Sequence, residues 1–188
     1  YTTFQQTMSD ITYAQGTVIF DVTVTNTGSV PGKDIVQVYS NPPYTEGGIE
    51  KATANLIAYD KTEELAPGQS QTVKISFAED DLASYDYKNA RAYVLEQGDY
   101  NISIRQDSHH IIDSKNITVD STITYNTTEH THSQDQKVAT NVFDDVQGGV
   151  TYLSRHNSFE NYAQAVAAPT NFEMSDEAKS TFYNNGNY

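Results

Sequence analysis

Between Thr17 and Val24 the apolar side chains of Val18, Phe20, Val22 and Val24 fall on every second residue, interleaved with Thr17, Ile19, Asp21 and Thr23. A strand sends successive side chains to opposite faces, so this spacing makes one face for a core; a helix needs a period near 3.6. The pattern recurs. Val73, Ile75 and Phe77 alternate after a Pro67-Gly68 turn, and Tyr100, Ile102 and Ile104 alternate with Asn101, Ser103 and Arg105 after Gly98-Asp99. Ile35-Val36-Gln37-Val38-Tyr39 is more continuously apolar, as expected of a strand covered on both faces, and Asn41-Pro42-Pro43 ends it because proline cannot donate to a ladder. Leu56–Tyr59, Tyr93–Leu95 and the pair Ile117 and Val119 complete the set. Seven or eight short strands separated by turn residues make residues 1–120 an all-β sandwich.

The pattern stops near residue 120. Thr122–Gln136 is rich in Thr, Asn, His and Gln, which predicts an extended or disordered linker. Val142-Phe143, Val150, Tyr152-Leu153 and Phe159 are isolated apolar anchors in a polar context. Two short helices are expected, one over Asn161–Ala168 stopped by Pro169, the other near Ser175–Lys179 with Ser175 as N-cap and acids in its first turn. Residues 121–188 cannot build a second core, so they are expected to wrap the sandwich or to stay uncovered for a missing partner surface.

Charge narrows the function. The chain carries 25 Asp and Glu against 11 Lys and Arg, a net −14 over 188 residues, which opposes nucleic acid and anionic membrane surfaces. No apolar run reaches the roughly 20 residues of a membrane helix. Zero Cys excludes a disulfide scaffold, a thiolate metal site and a cysteine nucleophile. Tyr1 opens the chain in mid-pattern with no leader visible, so a piece of a longer protein is expected; no compartment is assigned, with the cytoplasm slightly favoured.

Residues with chemical potential are few. His109 and His110 are neighbours, so a strand would point them apart; with Asp113 they read as surface loop. His130 and His132, near Glu129 and Asp135, would share a face of an extended segment and suit a weak metal site, but a solvated linker is the favoured reading. Glu63-Glu64 and Glu79-Asp80-Asp81 have the makings of paired carboxylates, yet stand at strand ends where charge faces water. Asp144-Asp145 lacks the calcium-loop spacing. Asn101, Asn116 and Asn126 head glycosylation sequons, meaningful only in a glycosylating host. Fourteen tyrosines suggest a sugar-stacking surface, although Trp is absent; most are expected to be core or edge packing. No catalytic, cofactor-binding or metal-binding residue is assigned, and no cofactor is expected.

The turn residues carry a resemblance. Val22 to Tyr39, running through Asn26-Thr27-Gly28 and Gly32-Lys33-Asp34, resembles the "TNTG…G…VVQLY" stretch of the fibronectin type III-like domains of glycoside hydrolase family 3, the β-glucosidase family. Leu56–Lys61, with Ala58 in place of the usual Gly, is similar to the family's "L.GF.K", and Leu65-Ala66-Pro67-Gly68-Gln69-Ser70 to its "L.PGES" turn. Asp81–Asp86 and Val94–Ile104 resemble "DLSYYD" and the last strands; Ala52 stands where the family often has Pro. The resemblance covers residues 1–107 in order. Asn141–Asp145 and Gly149–Arg155 are similar to members with rearranged domains, in which the α/β-sandwich domain comes first and the barrel follows.

What the resemblance implies is an immunoglobulin/fibronectin type III-like β-sandwich with a long, mostly irregular extension. Its partners would be the catalytic barrel and α/β-sandwich domains of the same parent chain. The family's nucleophilic aspartate lies in an Asp-Trp motif on the barrel, and this chain has no Trp, so no catalytic residue carries over. A non-catalytic module that orients two domains follows, in a parent acting on β-glucosides or related glycosides. The alternative is an independent carbohydrate-binding or cell-surface adhesion sandwich.

Overall fold

The computed structural model describes residues 1–127, 131–133, 135–138, 151–168 and 174–184. It divides into two compact units, Tyr1–Gln147 and Gly148–Tyr188.

The first unit is a β-sandwich. β1 (Phe4–Met8), β2 (Thr12–Ala14), β3 (Thr17–Asn26) and β6 (Ser70–Ala78) form one sheet, in which β3 pairs with β1 and β2 along one edge and with β6 along the other. β4 (Ile35–Asn41), β5 (Asn55–Lys61), β9 (Gly98–Arg105) and β10 (Ile111–Val119) form the second, in the order β10-β9-β4-β5. The core cluster takes Val18, Phe20, Val22 and Val24 from β3 and Val73, Ile75 and Phe77 from β6; Val36 and Val38 of β4 and Tyr100, Ile102 and Ile104 of β9 come from the facing sheet. Each alternating set read from the sequence is the inward face of its strand.

A smaller third sheet, in the order β11-β8-β7, is formed by β7 (Ser84–Asp86), β8 (Ala92–Leu95) and β11 (Ile123–Tyr125). β11 departs from the expected linker. Ile123↔Leu95 and Tyr125↔Tyr93 pair antiparallel, and Tyr125 joins the core cluster, so the sheet extends past the boundary expected at 120. Two apolar or aromatic side chains, Ile123 and Tyr125, sufficed because β8 offered a free edge.

The residues behind the resemblance hold turns. Asn26 is fully buried with all its capacity used: Oδ1 accepts from Thr2 Oγ1 (2.7 Å) and Gly28 N (3.0 Å), and Nδ2 donates to Val30 O and Leu65 O (both 2.8 Å). Gly28 lies so close to the first strand's approach that a Cβ would sit 2.7 Å from Thr3 N. Gly68 takes φ +77°, which the Pro67-Gly68 turn requires and other residues resist. Asp81 Oδ2 accepts from Ala78 N (3.2 Å) at the start of a 3-10 turn, Glu79–Leu82, whose Leu82 is buried. Asp86 accepts from the backbone N–H groups of Lys88, Asn89 and Ala90 at 3.0–3.1 Å. Burial pushes the Asp86 carboxyl up, but those donors outweigh it and hold it below the usual range.

In the second unit, α1 (Tyr162–Ala165) is shorter than the two turns expected, and α2 (Asp176–Asn184) is longer. The N-cap of α2 is as read: Ser175 Oγ accepts from Ala178 N at 3.1 Å.

Candidate functional site

The acidic run at the end of β6 is consumed by structure. Tyr13 OH donates to Glu79 Oε2 at 2.5 Å, and burial together with that bond pushes the phenol well above its ordinary value. Asp80 anchors the chain beyond β11, accepting from Ser133 N on Oδ2 (2.5 Å) and lying 2.8 Å from His132 Nε2 through its carbonyl oxygen. With Asp81 on Ala78 N, each carboxylate of Glu79-Asp80-Asp81 has a local task, and the three do not converge as a catalytic pair. Glu63 lies 3.4 Å from Lys33 on the open surface.

His132 corrects the solvated-linker reading. Its ring stacks on Tyr93 (centroids 3.8 Å, planes 15° apart) and meets Tyr125 edge-on at 5.8 Å. The sequence signal for this contact was absent, because the ring that His132 stacks on, Tyr93, is distant from it along the chain. Glu129, His130, Val142-Phe143, Asp144-Asp145 and Val150 lie outside the described residues. Among the described residues no group of three or more His, Cys, Asp or Glu is placed to hold a metal.

His109 and His110 occupy the exposed loop between β9 and β10, where Asp107 Oδ1 accepts from both backbone N–H groups at 2.8 and 2.9 Å. His110 Nδ1 lies 2.7 Å from Asp107 Oδ2. That side-chain bond, followed by the backbone bonds, brings the Asp107 carboxyl down to about 2. Asn101 Nδ2 donates to Asn116 Oδ1 across the β9–β10 ladder at 2.8 Å, so two of the three sequon asparagines are engaged with each other.

The outward face of the second sheet was not legible beforehand. Arg105 points away from the core yet is only 4% exposed. Its guanidinium reaches Ser103 Oγ (2.7 Å), Ser108 O (2.8 Å) and Asn41 Oδ1, and it lies over the Tyr39 ring at 5.2 Å. This cover buries Tyr39, but Ile35 is 45% exposed and Gln37 half-buried, so the double-sided burial expected of the Ile35–Tyr39 strand holds only at its end. Beside it, on edge strand β5, Leu56 and Tyr59 are 51% and 73% exposed. In the second unit Tyr152, Leu153, Phe159, Tyr162 and Val166 are all exposed, on a loop held by polar bonds: Asn161 Nδ2 donates to Tyr152 O (2.8 Å) and Ser154 N donates to Asn161 Oδ1 (3.0 Å). Such arrays suit contact with another surface better than they suit catalysis.

Known proteins agree with this geometry. Residues 34–108 match the family described as a fibronectin type III-like domain, a non-catalytic module. The chain is 44% identical over 87 residues to β-glucosidase A of Butyrivibrio fibrisolvens, covering 44% of this chain and 10% of that protein. A Ruminococcus albus β-glucosidase is 38% identical over 109 residues, covering 56% of this chain and 11% of that protein. Among solved structures, β-glucosidase 3B of Thermotoga neapolitana superposes with TM-score 0.61 at 30% identity, over 66% of this chain and 17% of the other. The chain therefore spans only about a tenth of these curated relatives' length. Residues 34–108 are thus similar to fibronectin type III-like domains, and the sandwich to the part of β-glucosidases that it matches.

Proposed function

We propose that this chain is the structural module of a family 3 β-glycosidase, with the sandwich packing against the catalytic barrel and α/β-sandwich domains of the same parent. In this reading residues 121–188 form the connection towards the barrel. Retaining glycoside hydrolysis needs two carboxyl groups held about 5 Å apart, and when they come from different domains a rigid third body that fixes both has a direct catalytic consequence. The observation that carries the reading is the set of exposed apolar side chains at Tyr152, Leu153, Phe159, Tyr162 and Val166, on a hydrogen-bonded segment with no buried apolar residue among the described residues of its unit. The likeness to short stretches of β-glucosidases supports the enzyme context.

The test is association in trans. The parent's barrel and α/β-sandwich domains, expressed apart from this chain, are expected to bind it, and Tyr152→Asp with Tyr162→Asp is expected to weaken that binding at least about tenfold, since burying an unpaired charge is costly. No association, or equal binding by the double variant, would overturn the reading.

A further inference from the structure

An antiparallel sheet with one face on a core turns polar side chains to water on the other, and the second sheet of the sandwich departs from this along one margin. β4 pairs with β5 so that Gln37 stands opposite Tyr59 and Tyr39 opposite Leu56, with the register shift absorbing Ile57. Leu56 and Tyr59 therefore share the outward face, where an unbroken strand would send residues three apart to opposite faces. Ile35, two residues before Gln37, and Ile111, opposite Arg105 on β10, lie on that face too. All four of these large apolar side chains are exposed, and they flank Tyr39 and Arg105, which are buried. Apolar groups gathered in this way on a rigid sheet mark a contact surface.

Charge narrows what covers it. Acids outnumber bases 25 to 11 in the chain, yet the outward positions of β4 and β5 hold none. Those of β9 hold only Asp99, at the start of the strand, where it accepts from Thr118. Arg105 cannot lose its charge, and its partners are all neutral: Ser103 Oγ, Ser108 O, Asn41 Oδ1 and the Tyr39 ring. Among the described residues no carboxylate pairs with it. A buried charge acts several ångströms beyond its own atoms in low dielectric, so Arg105 favours an anion above Tyr39 without touching it. Lys61, opposite Ile35, adds an exposed cation. A second copy docked face to face would set both cations against their own copies. The chain spans about a tenth of its curated relatives, so in a parent of that size most of the protein surface within reach belongs to the same polypeptide.

We propose that the outward margin of β4 and β5 is a docking surface for another part of the parent polypeptide, one that offers apolar side chains around at least one carboxylate. This rests on the reading of the chain as a module of a longer glycosidase. It adds a contact on the sandwich itself to the one carried by Tyr152 and Tyr162.

The experiment compares hydroxyl-radical labelling, read by mass spectrometry, in the 188-residue chain alone and in the intact parent polypeptide. Leu56 and Tyr59 are expected to be labelled at least about fivefold more slowly in the parent, as residues at the centre of an interface are. In trans, with the parent's other domains expressed apart from this chain, Tyr59→Asp is expected to weaken binding at least about tenfold. Lys61→Glu is expected to weaken it roughly threefold or more, with a larger effect at low salt. Both side chains are exposed, so neither variant should melt lower than the unmodified chain. Unchanged labelling of Leu56 and Tyr59 in a parent that protects Tyr152 and Tyr162 overturns this proposal and leaves the module reading standing; unchanged labelling at all four residues overturns both. Binding that ignores Tyr59→Asp, or that Lys61→Glu leaves equal or strengthens, also overturns it. Protection of Tyr59 that grows with the concentration of the isolated chain would assign the face to a second copy instead and overturn it as well.

Discussion

Asn26 and Asp86 are buried side chains that each gather several backbone groups of the turn beside them. Removing Asn26 takes the side-chain partner from Val30 O and the Thr2 hydroxyl, while Leu65 O keeps Gly32 N (3.1 Å) and Gly28 N keeps Thr3 O (3.2 Å). Asn26→Ala is therefore expected to cost about 1–3 kcal/mol in urea unfolding, from the loss of a fully buried amide's hydrogen bonds to the turn. Gly28→Ala is expected to be destabilising as well, because its Cβ would press on the Thr3 backbone as well as on the Thr2 hydroxyl. Asp107 behaves differently, being open to solvent. Its folded-state value, held down to about 2, lies below the ordinary carboxylate value near 4. Its contribution is thus complete above about pH 4 and is lost as the pH falls towards 2, when protonation releases the 107–110 turn. A carboxyl NMR titration of Asp107 with a midpoint near 4 would contradict this. Asn26, Gly28, Asp81 and Asp86 were legible as a family resemblance, but their tasks were not, since each acts on residues that only the fold brings close. Arg105 was missed because alternation alone assigns it to the solvent.

At the scale of elements, legibility followed periodicity. β3, β6 and β9 stood out because one face of each is buried along its whole length, which forces a period of two. β1 and β2 were not singled out, since Phe4–Met8 and Thr12–Ala14 carry few apolar residues and gain their place by pairing with the two ends of β3. β11 is the instructive case. Ile123-Thr124-Tyr125 sits in a polar stretch, and what decides its structure is the exposed ladder of β8 together with the pocket that takes Tyr125. Tyr125→Ala is accordingly expected to destabilise the sandwich by about 3 kcal/mol, a core-sized loss from a residue outside the alternating segments. His132→Ala is expected to raise hydrogen exchange at Ser133 and leave the two main sheets protected, because the stack on Tyr93 and the contacts to Asp80 tie down only the chain beyond β11. Slow exchange at Ser133 in that variant would show another anchor.

Over the whole molecule, composition and topology agree on a scaffold. The apolar residues are concentrated in one sandwich, and several of its acidic side chains at turns, Asp80, Asp81, Asp86 and Asp107, hold backbone N–H groups. The likeness to β-glucosidases covers the sandwich and a small share of each relative. Pure 188-residue chain is expected to show no turnover of an aryl β-glucoside. The central claim is that this chain is one structural module of a longer glycosidase, and the native polypeptide tests it most directly. Intact mass and peptide sequencing from the source cells should find a chain several times longer, with an Asp-Trp-containing barrel after Tyr188. A native polypeptide that ends near Tyr188 would contradict the account and leave a free-standing sandwich.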